Sequence, residues 1–94
     1  MKILITYDVS TADKGGAKRL RRVARACQDF GQRVQKSVFE CSVGPVDWVR
    51  LRGRLTDEID REKDSLRIDH LAADTEVEHV GSGAPQDLDG PLVV

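Results

Sequence analysis

The segment KILITYD, residues 2–8, restricts the fold more than any other part of the sequence, because apolar side chains fall on both of its sides. In a β-strand successive side chains point to opposite faces of the sheet, so Ile3 and Ile5 face one way and Leu4 faces the other. Strands that are buried on both faces have this pattern. The chain has only 94 residues, and one layer of helices covers a single face. We therefore expect a second copy of the chain to cover the other face.

Residues 17–31 have the spacing of an amphipathic helix, with apolar side chains at every third or fourth position. These positions are Ala17, Leu20, Val23, Ala24 and Cys27. Asp13 or Ser10 is placed to cap the start of this helix, and Gly31 is placed to end it.

A second helix begins near Pro45, a residue that suits the first turn of a helix. Its apolar face is formed by Trp48, Leu51, Leu55 and Ile59. Further strands are predicted over residues 31–41 and 65–71, and residues 75–80 are predicted to form a short, charged edge strand.

The order strand, helix, strand, helix, strand, strand predicts an α+β fold close to a ferredoxin-like sandwich, in which an antiparallel sheet carries two helices on one face. We expect this domain to span residues 1–80 and a tail to span residues 81–94. One detail does not fit, because a ferredoxin-like order needs a hairpin between the helices and residues 32–43 contain no turn signal. Either that strand is bent into two pieces or the fold is a variant.

Composition excludes several classes of protein. No run approaches the ~20 apolar residues of a membrane-spanning helix, so no membrane partner is expected. Cys27 and Cys41 are isolated and lack the CxxC spacing of a zinc site. They fit two buried thiols in a reducing cytoplasm.

The net charge of −1 hides a basic block at residues 14–36, which holds eight lysines and arginines against the single acid Asp29. Such a block in an otherwise acidic chain favours a surface that binds phosphates. The alternative is a solvated helix face whose arginines pair with acids elsewhere in the fold.

Asp8 is the candidate for metal chemistry, because it is the last residue of the rigid first strand and precedes a polar loop. Mg²⁺ prefers a few carboxylates together with waters and phosphate oxygens. On the residues alone, a turn or helix cap is the simpler interpretation of Asp8. Two copies brought together by a two-fold axis would supply a second carboxylate. His70 and His79 are interpreted as structural or surface histidines.

Four blocks of sequence, taken together, resemble the small CRISPR-associated protein of spacer acquisition, Cas2. They occur in the family's order and are ILITYDVS (3–10), KRLRRVARAC (18–27), GQRVQKSVFEC (31–41) and DSLRIDHL (64–71). The resemblance runs from the start of the chain to about residue 71, and the tail beyond residue 80 carries no family signature.

The resemblance implies a ferredoxin-like homodimer joined sheet to sheet, with C-terminal strands such as PLVV (91–94) completing the partner's sheet. It implies a place beside the larger CRISPR integrase subunit, on duplex DNA destined for the CRISPR array. It also implies that Asp8 is the catalytic Mg²⁺ ligand at the dimer seam, as in members described as metal-dependent nucleases on single-stranded RNA or double-stranded DNA.

The residues expected at the nucleic acid by the same resemblance lie in or beside the family's motifs. They are Tyr7, Lys18, Arg19, Arg22, Arg33 and Phe39. Among them Arg19 is the loosest assignment, because Lys18, Arg21 and Arg22 compete for its role. On the strand at 31–41, Lys36 is also expected to reach phosphate.

Three functions remain open at this point. The first is a Mg²⁺-dependent phosphodiesterase of CRISPR adaptation, and the second is a non-catalytic DNA-binding scaffold for the integrase subunit. The third is a toxin-like ribonuclease that acts alone on RNA.

Overall fold

A computed structural model describes residues 1–78, 80 and 81 of the chain. In chain order the elements are β1 (Lys2–Asp8), α1 (Gly16–Phe30), β2 (Gly31–Gln35), β3 (Val38–Ser42), α2 (Pro45–Glu58) and β4 (Ser65–Leu71). The strands form one antiparallel sheet in the order β2-β3-β1-β4, and both helices pack on one of its faces. The α+β, ferredoxin-like sandwich predicted from the sequence is confirmed.

The stretch from residue 31 to residue 42 is a hairpin of two strands. Of the two alternatives left open by the sequence, the strand in two pieces is the one found, and it supplies the hairpin that a ferredoxin-like order needs. β2 and β3 are joined by a two-residue turn at Lys36 and Ser37. No non-glycine residue among those described has a positive φ, so the turn lacks the left-handed residue that usually marks a two-residue hairpin. A register shift between Arg33 and Gln35 accompanies the turn. The sequence therefore carried no Gly, Asn or Pro signal for it.

The core lies between the helices and one face of the sheet. On this face Ile3 of β1 pairs with Cys41 of β3, and Ile5 pairs with Phe39. The helices cover them with fully buried side chains, which are Val23, Ala26 and Cys27 of α1 and Leu51 and Leu55 of α2. The predicted apolar face of α2 is confirmed. In α1, Ala17 is exposed and Ala26 is buried instead.

The start of α2 packs against β4 through an aromatic pair. The ring of Trp48 meets the ring of His70 edge to face, with centroids 5.4 Å apart. His70 pairs with Ile3 in the sheet, so this contact lies at the end of β1 opposite to Asp8.

Both cysteines are free and buried, which agrees with their interpretation as buried thiols. Burial raises the pKa of the Cys27 thiol to about 12 and that of Cys41 to about 11. Both thiols therefore stay protonated at neutral pH. Within the described part of the chain, no helix is long and apolar enough to cross a membrane.

The second face of the sheet is crossed by the chain after β4. Residues 75–78 were predicted to begin an edge strand but form none. The Lys2 ammonium donates a hydrogen bond to the Thr75 carbonyl and pairs with Glu40 at 3.4 Å. A groove of about 230 Å³ lies between this segment and the sheet, lined in part by Leu4 and Val77. We call this side of the sheet, on which Leu4, Thr6 and Asp8 of β1 lie and which neither α1 nor α2 covers, the open face.

The start of α1 differs from its prediction, whereas Gly31 ends the helix as predicted. Gly15 is the N-cap residue and no side chain caps the helix there. The Asp13 carboxylate, a predicted cap, accepts hydrogen bonds from Arg19 instead. Gly31 is the C-cap residue, but its φ of −155° is extended and any residue adopts it. The reason for glycine is space, because a Cβ at Gly31 would lie 2.3 Å from the Cys41 Sγ and 2.6 Å from the Glu40 carbonyl oxygen.

We predict that Gly31→Ala destabilises the protein by ~1–3 kcal/mol, because the added methyl group would overpack the junction of α1 and the hairpin. Gly53→Ala is the matched control, since a Cβ at this position in α2 meets nothing within 4 Å. Alanine favours a helix interior over glycine by ~0.5–1 kcal/mol, so Gly53→Ala should stabilise. Urea unfolding followed by circular dichroism measures both changes. Equal effects of the two variants would contradict the packing argument.

Candidate functional site

A groove of about 540 Å³ lies at the end of β1, between α1 and the β2–β3 turn. Its polar lining comprises Tyr7, Asp8, Thr11, Arg21, Arg33, Lys36 and Ser37. Three cationic side chains, one carboxylate and one phenol thus share one depression.

Pairing of β1 with β3 brings these residues together from distant parts of the sequence. The ladder ends where Thr6 meets Val38. One residue further on, the Tyr7 backbone N–H donates a hydrogen bond to the Ser37 carbonyl at 3.1 Å. This bond places the turn, and with it Lys36, beside the end of β1. The β2–β3 hairpin, whose turn has no signal in the sequence, is therefore the element that builds the groove.

Tyr7, Phe39 and Arg33 form a stack, and two of its members, Tyr7 and Arg33, line the groove. The rings of Tyr7 and Phe39 are stacked with centroids 6.1 Å apart and an interplanar angle of 24°. The Arg33 guanidinium carbon lies 5.0 Å from the centroid of Phe39, which is within the range of a cation–π contact. Three residues predicted from the family resemblance thus lie in one contact cluster.

Arg33 is the charged member of this stack, and it affects the Tyr7 hydroxyl. Burial raises the pKa of the Tyr7 hydroxyl, with the Arg33 charge acting in the opposite direction. The Arg33 Nε is buried and has no hydrogen-bond partner among the described residues. A buried donor without a partner is costly. A water or an anionic oxygen that reached this nitrogen would relieve that cost.

Asp8 is exposed at the mouth of the groove. It shares a side of β1 with Leu4 and Thr6, and thus lies towards the open face. In the sheet it pairs with Ser65 at the start of β4. A rigid strand therefore presents its carboxylate to solvent beside the cationic side chains.

The groove fits a metal ion only in part. The described residues contain no group of three or more His, Cys, Asp or Glu side chains that could hold one. Mg²⁺ is commonly bound by one or two carboxylates, with waters and substrate phosphates filling its other positions. Asp8 supplies one such carboxylate, so the arrangement suits a Mg²⁺ ion that phosphate, or a second Asp8, helps to hold.

Arg19 lies at the centre of an ionic network behind the groove. Its Nε donates to Asp64 at 2.9 Å, and its terminal nitrogens donate to Asp13 at 2.8 and 2.9 Å. It also donates to the Ser10 carbonyl at 3.3 Å. Its side chain is only 16% exposed, so its donors serve the loop after β1 in this structure. Its predicted contact with nucleic acid stays a prediction.

The other basic residues of α1 divide into paired and unpaired groups. Arg22 lies 3.7 Å from Glu58 of α2, and Arg25 lies 3.2 Å from Asp29. Lys18 and Arg21 are exposed and make no ion pair with any residue that the structure describes. Both earlier interpretations of the basic block therefore apply, each to part of the helix.

Two groove residues were placed differently by the sequence. Arg21 was named only as a competitor of Arg19. Lys36 was expected to reach phosphate, but from a continuous strand and not from a turn. Arg21 follows Leu20 and precedes Ala24, which are both partly buried against the core. Arg21 thus lies at the boundary between the apolar and the polar face of α1, and this position was the signal that the sequence offered. For Lys36 no local signal existed, since its place depends on the unmarked turn.

Comparison with known proteins identifies the family. Residues 1–77 match the family described as CRISPR associated protein Cas2. The chain belongs to the Cas2 family. It is 55% identical to the CRISPR-associated endoribonuclease Cas2 of Nitratidesulfovibrio vulgaris, over 100% of this chain and 94% of that protein. It is also 55% identical to the CRISPR-associated endonuclease Cas2 of Halalkalibacterium halodurans, over 99% of each.

A solved structure of the same family has the same fold. The crystal structure of Streptococcus pyogenes Cas2 at pH 6.5 aligns with a TM-score of 0.76 and 51% identity, over 86% of this chain and 100% of that one. All the groove residues fall within the part of the chain that matches the Cas2 family. The candidate site of this Cas2 protein thus lies in the part of the chain that the family shares.

We predict that the ionic network makes stability fall in acid. Hydrogen bonds from Arg19 hold the pKa values of Asp13 and Asp64 below the ordinary value of 3.8. A depressed pKa gives a stabilisation that is present above the ordinary value and is lost as the pH falls below it. Urea unfolding should show that Asp64→Asn is less stable than the wild type at pH 7 and that the difference shrinks below about pH 4.

Asp57→Asn, at an exposed position of α2, controls for the loss of one carboxylate. Its unfolding curve should follow that of the wild type both at pH 7 and below about pH 4. A difference between Asp64→Asn and the wild type that stays constant with pH would contradict the ionic origin of this stabilisation.

Proposed function

We propose that this Cas2 protein binds nucleic acid in CRISPR adaptation and that the groove at the end of β1 is a metal-dependent phosphodiesterase site. The observation that carries the proposal is the exposed Asp8 carboxylate at the mouth of a groove whose other charged groups, Arg21, Arg33 and Lys36, are all cationic. Cations bind the phosphates of a nucleic acid, and a carboxylate among them suits a divalent metal. The names endoribonuclease and endonuclease carried by the curated relatives agree with this reaction class.

Asp8 would hold Mg²⁺, which when bound polarises the scissile phosphate and lowers the pKa of a bound water. The chain's own residues have separate tasks. Arg33 and Lys36 hold the phosphate in place, and the stack of Tyr7 on Phe39 fixes Tyr7 in the lining of the groove. The substrate is single-stranded RNA or double-stranded DNA, and the groove shows no feature that selects between them.

A homodimer would complete this site. The open face retains partly buried Leu4 and exposed Val77, and Asp8 lies on the same side of β1. Two copies that meet through their open faces would bury this apolar surface and bring two Asp8 carboxylates to one seam. A monomer in sedimentation at micromolar concentration would leave Asp8 without its second carboxylate. The proposed strand exchange through residues 91–94 lies outside the described residues.

Arg19 contributes indirectly in this proposal. Its guanidinium is bound by two carboxylates and a carbonyl oxygen, so a phosphate would have to displace these partners. We assign it to the loop after β1, and assign phosphate binding on α1 to Arg21 and Lys18, with Arg22 at the edge of the surface. Each of the latter three has an exposed side chain.

The second candidate function is a non-catalytic scaffold in the cytoplasm that holds duplex DNA for the larger CRISPR integrase subunit. The single carboxylate of the groove favours it, because one ligand is few for a catalytic metal. The third candidate, a toxin-like ribonuclease, would act on RNA without a partner protein and would arrest growth on expression. Nothing in the groove favours it over the first.

We predict that Asp8→Ala lowers Mg²⁺-dependent cleavage on the order of 10²-fold or more, a loss typical of removing one electrostatic stabiliser of a transition state, and leaves duplex affinity within about twofold. Cleavage of labelled single-stranded RNA and duplex DNA, with binding measured by fluorescence anisotropy, separates the two effects. Asp57→Ala is the control at an exposed carboxylate away from the groove. Wild-type protein that binds duplex and supports spacer acquisition but cleaves neither substrate would leave the scaffold as the function.

We predict that binding weakens steeply with salt. Six to ten phosphate contacts correspond to a loss of ~10³–10⁵ in affinity between about 50 and 200 mM salt. Arg21→Ala and Lys36→Ala should each reduce the slope of log affinity against log salt by about 1. Arg19→Ala should lower stability with little change in that slope. Arg52→Ala, at an exposed position of α2, is the control, and a slope that responds equally to all four changes would contradict the assignment.

A further inference from the structure

Asp64 is the most completely engaged acidic side chain among the described residues. Its side chain is fully buried, with 0% exposure. One carboxylate oxygen accepts the Ser10 backbone N–H at 3.0 Å. The other accepts the Asp60 N–H at 2.8 Å and the Arg19 Nε at 2.9 Å. A buried carboxylate with this many donors fixes the backbone around it.

These bonds hold two backbone segments next to Asp8, which are the chain that follows it and the start of the neighbouring strand β4. Ser10 is two residues after Asp8 in the chain. Ser65, the neighbour of Asp64 in sequence, is the residue that pairs with Asp8 in the sheet. One carboxylate therefore joins the exit of β1 to the entrance of β4, at the point where the candidate metal ligand projects.

The loop after β1 is also held from the side of α1. A Cβ at Gly16 would lie 2.1 Å from the Ser10 carbonyl oxygen and 2.7 Å from the Thr11 Cα. Only glycine permits the loop to lie this close to the first turn of the helix. Asp64 and Gly16 thus restrict the same loop independently, one by hydrogen bonds and one by packing.

We propose that Asp64 is a positioning residue, which holds the Ser10 amide and the start of β4 so that the Asp8 carboxylate keeps a fixed orientation at the mouth of the groove. The inference rests on the proposed function of Asp8. A catalytic group must be held within about 0.5 Å of its productive position, and a misplacement of about 1 Å costs on the order of 10²-fold in rate. Asp8 itself is exposed and makes no side-chain hydrogen bond to any described residue, so its orientation depends on the backbone.

The test compares Asp64→Asn and Gly16→Ala with the wild type. Asparagine keeps one oxygen for the Ser10 N–H but loses the charge that binds Arg19, whereas Gly16→Ala displaces the same loop with Asp64 intact. Asp29→Asn is the matched control, because Asp29 also binds two arginines, Arg25 at 3.2 Å and Arg54 at 2.8 Å. It lies near the end of α1, away from the groove.

Three measurements separate positioning from general stability. They are kcat and KM for cleavage with Mg²⁺, the Asp8-dependent affinity for Mn²⁺ alone, and the exchange rate of the Ser10 amide hydrogen. All are made at a temperature where each variant is more than nine-tenths folded. The Asp8-dependent affinity is the part of Mn²⁺ binding that Asp8→Ala removes.

We expect both loop variants to show faster Ser10 exchange, a kcat lowered about 10- to 100-fold with KM within about twofold, and weaker Asp8-dependent Mn²⁺ binding. Asp29→Asn should leave all three as in the wild type. Faster Ser10 exchange with unchanged kcat and unchanged Mn²⁺ binding would overturn the proposal and leave Asp64 as a purely structural clamp.

Failure of the proposed function gives a different result. If the wild type cleaves nothing, Mn²⁺ binding decides the positioning role, since it needs no substrate. If the wild type also shows no Asp8-dependent Mn²⁺ binding, both the phosphodiesterase and the positioning role of Asp64 are overturned. If Asp8→Ala retains full cleavage, the assigned role of Asp8 is wrong whatever the Asp64 variant does.

Discussion

The groove depends on the antiparallel pairing of β1 with β3. β1 is an interior strand of the sheet, so its register with β3 decides which residues meet at its end. That register sets Ile5 against Phe39 in the core and carries Tyr7 to the carbonyl of Ser37. A shift of one residue would turn every side chain of β1 to the other face. The buried pairs of the core therefore also fix the position of Asp8 beside the turn.

The fold was predictable where local patterns carry it. The alternation in residues 2–8 and the apolar spacing around Leu51 and Leu55 gave the central strand and the second helix. The β2–β3 hairpin was not predictable, because the Lys36–Ser37 turn uses ordinary backbone angles and leaves no glycine or asparagine in the sequence. The crossing of the open face by residues 75–78 involves contacts between residues far apart in the chain, such as the hydrogen bond from Lys2 to Thr75, which no local pattern shows.

The candidate site was predictable in its residue types and less so in their roles. The family resemblance named Tyr7, Arg33 and Phe39, which the structure places in one stack. It could not show that Arg19 is surrounded by Asp13 and Asp64, since an ion pair between distant residues has no periodicity. Net charge had the same limit. It indicated a basic helix, but only the position of each side chain separates cations bound to acids from those left for a ligand.

Trp48 is the only tryptophan of the chain, and it is 8% exposed in edge-to-face contact with His70. Because this contact lies at the opposite end of β1 from the groove, the fluorescence of Trp48, as distinct from that of Tyr7 in the groove, monitors the packing of α2 on the sheet. Direct quenching by a bound nucleic acid is not expected at that distance along the strand. A spectral change when nucleic acid enters the groove would mean that the whole domain had adjusted its packing.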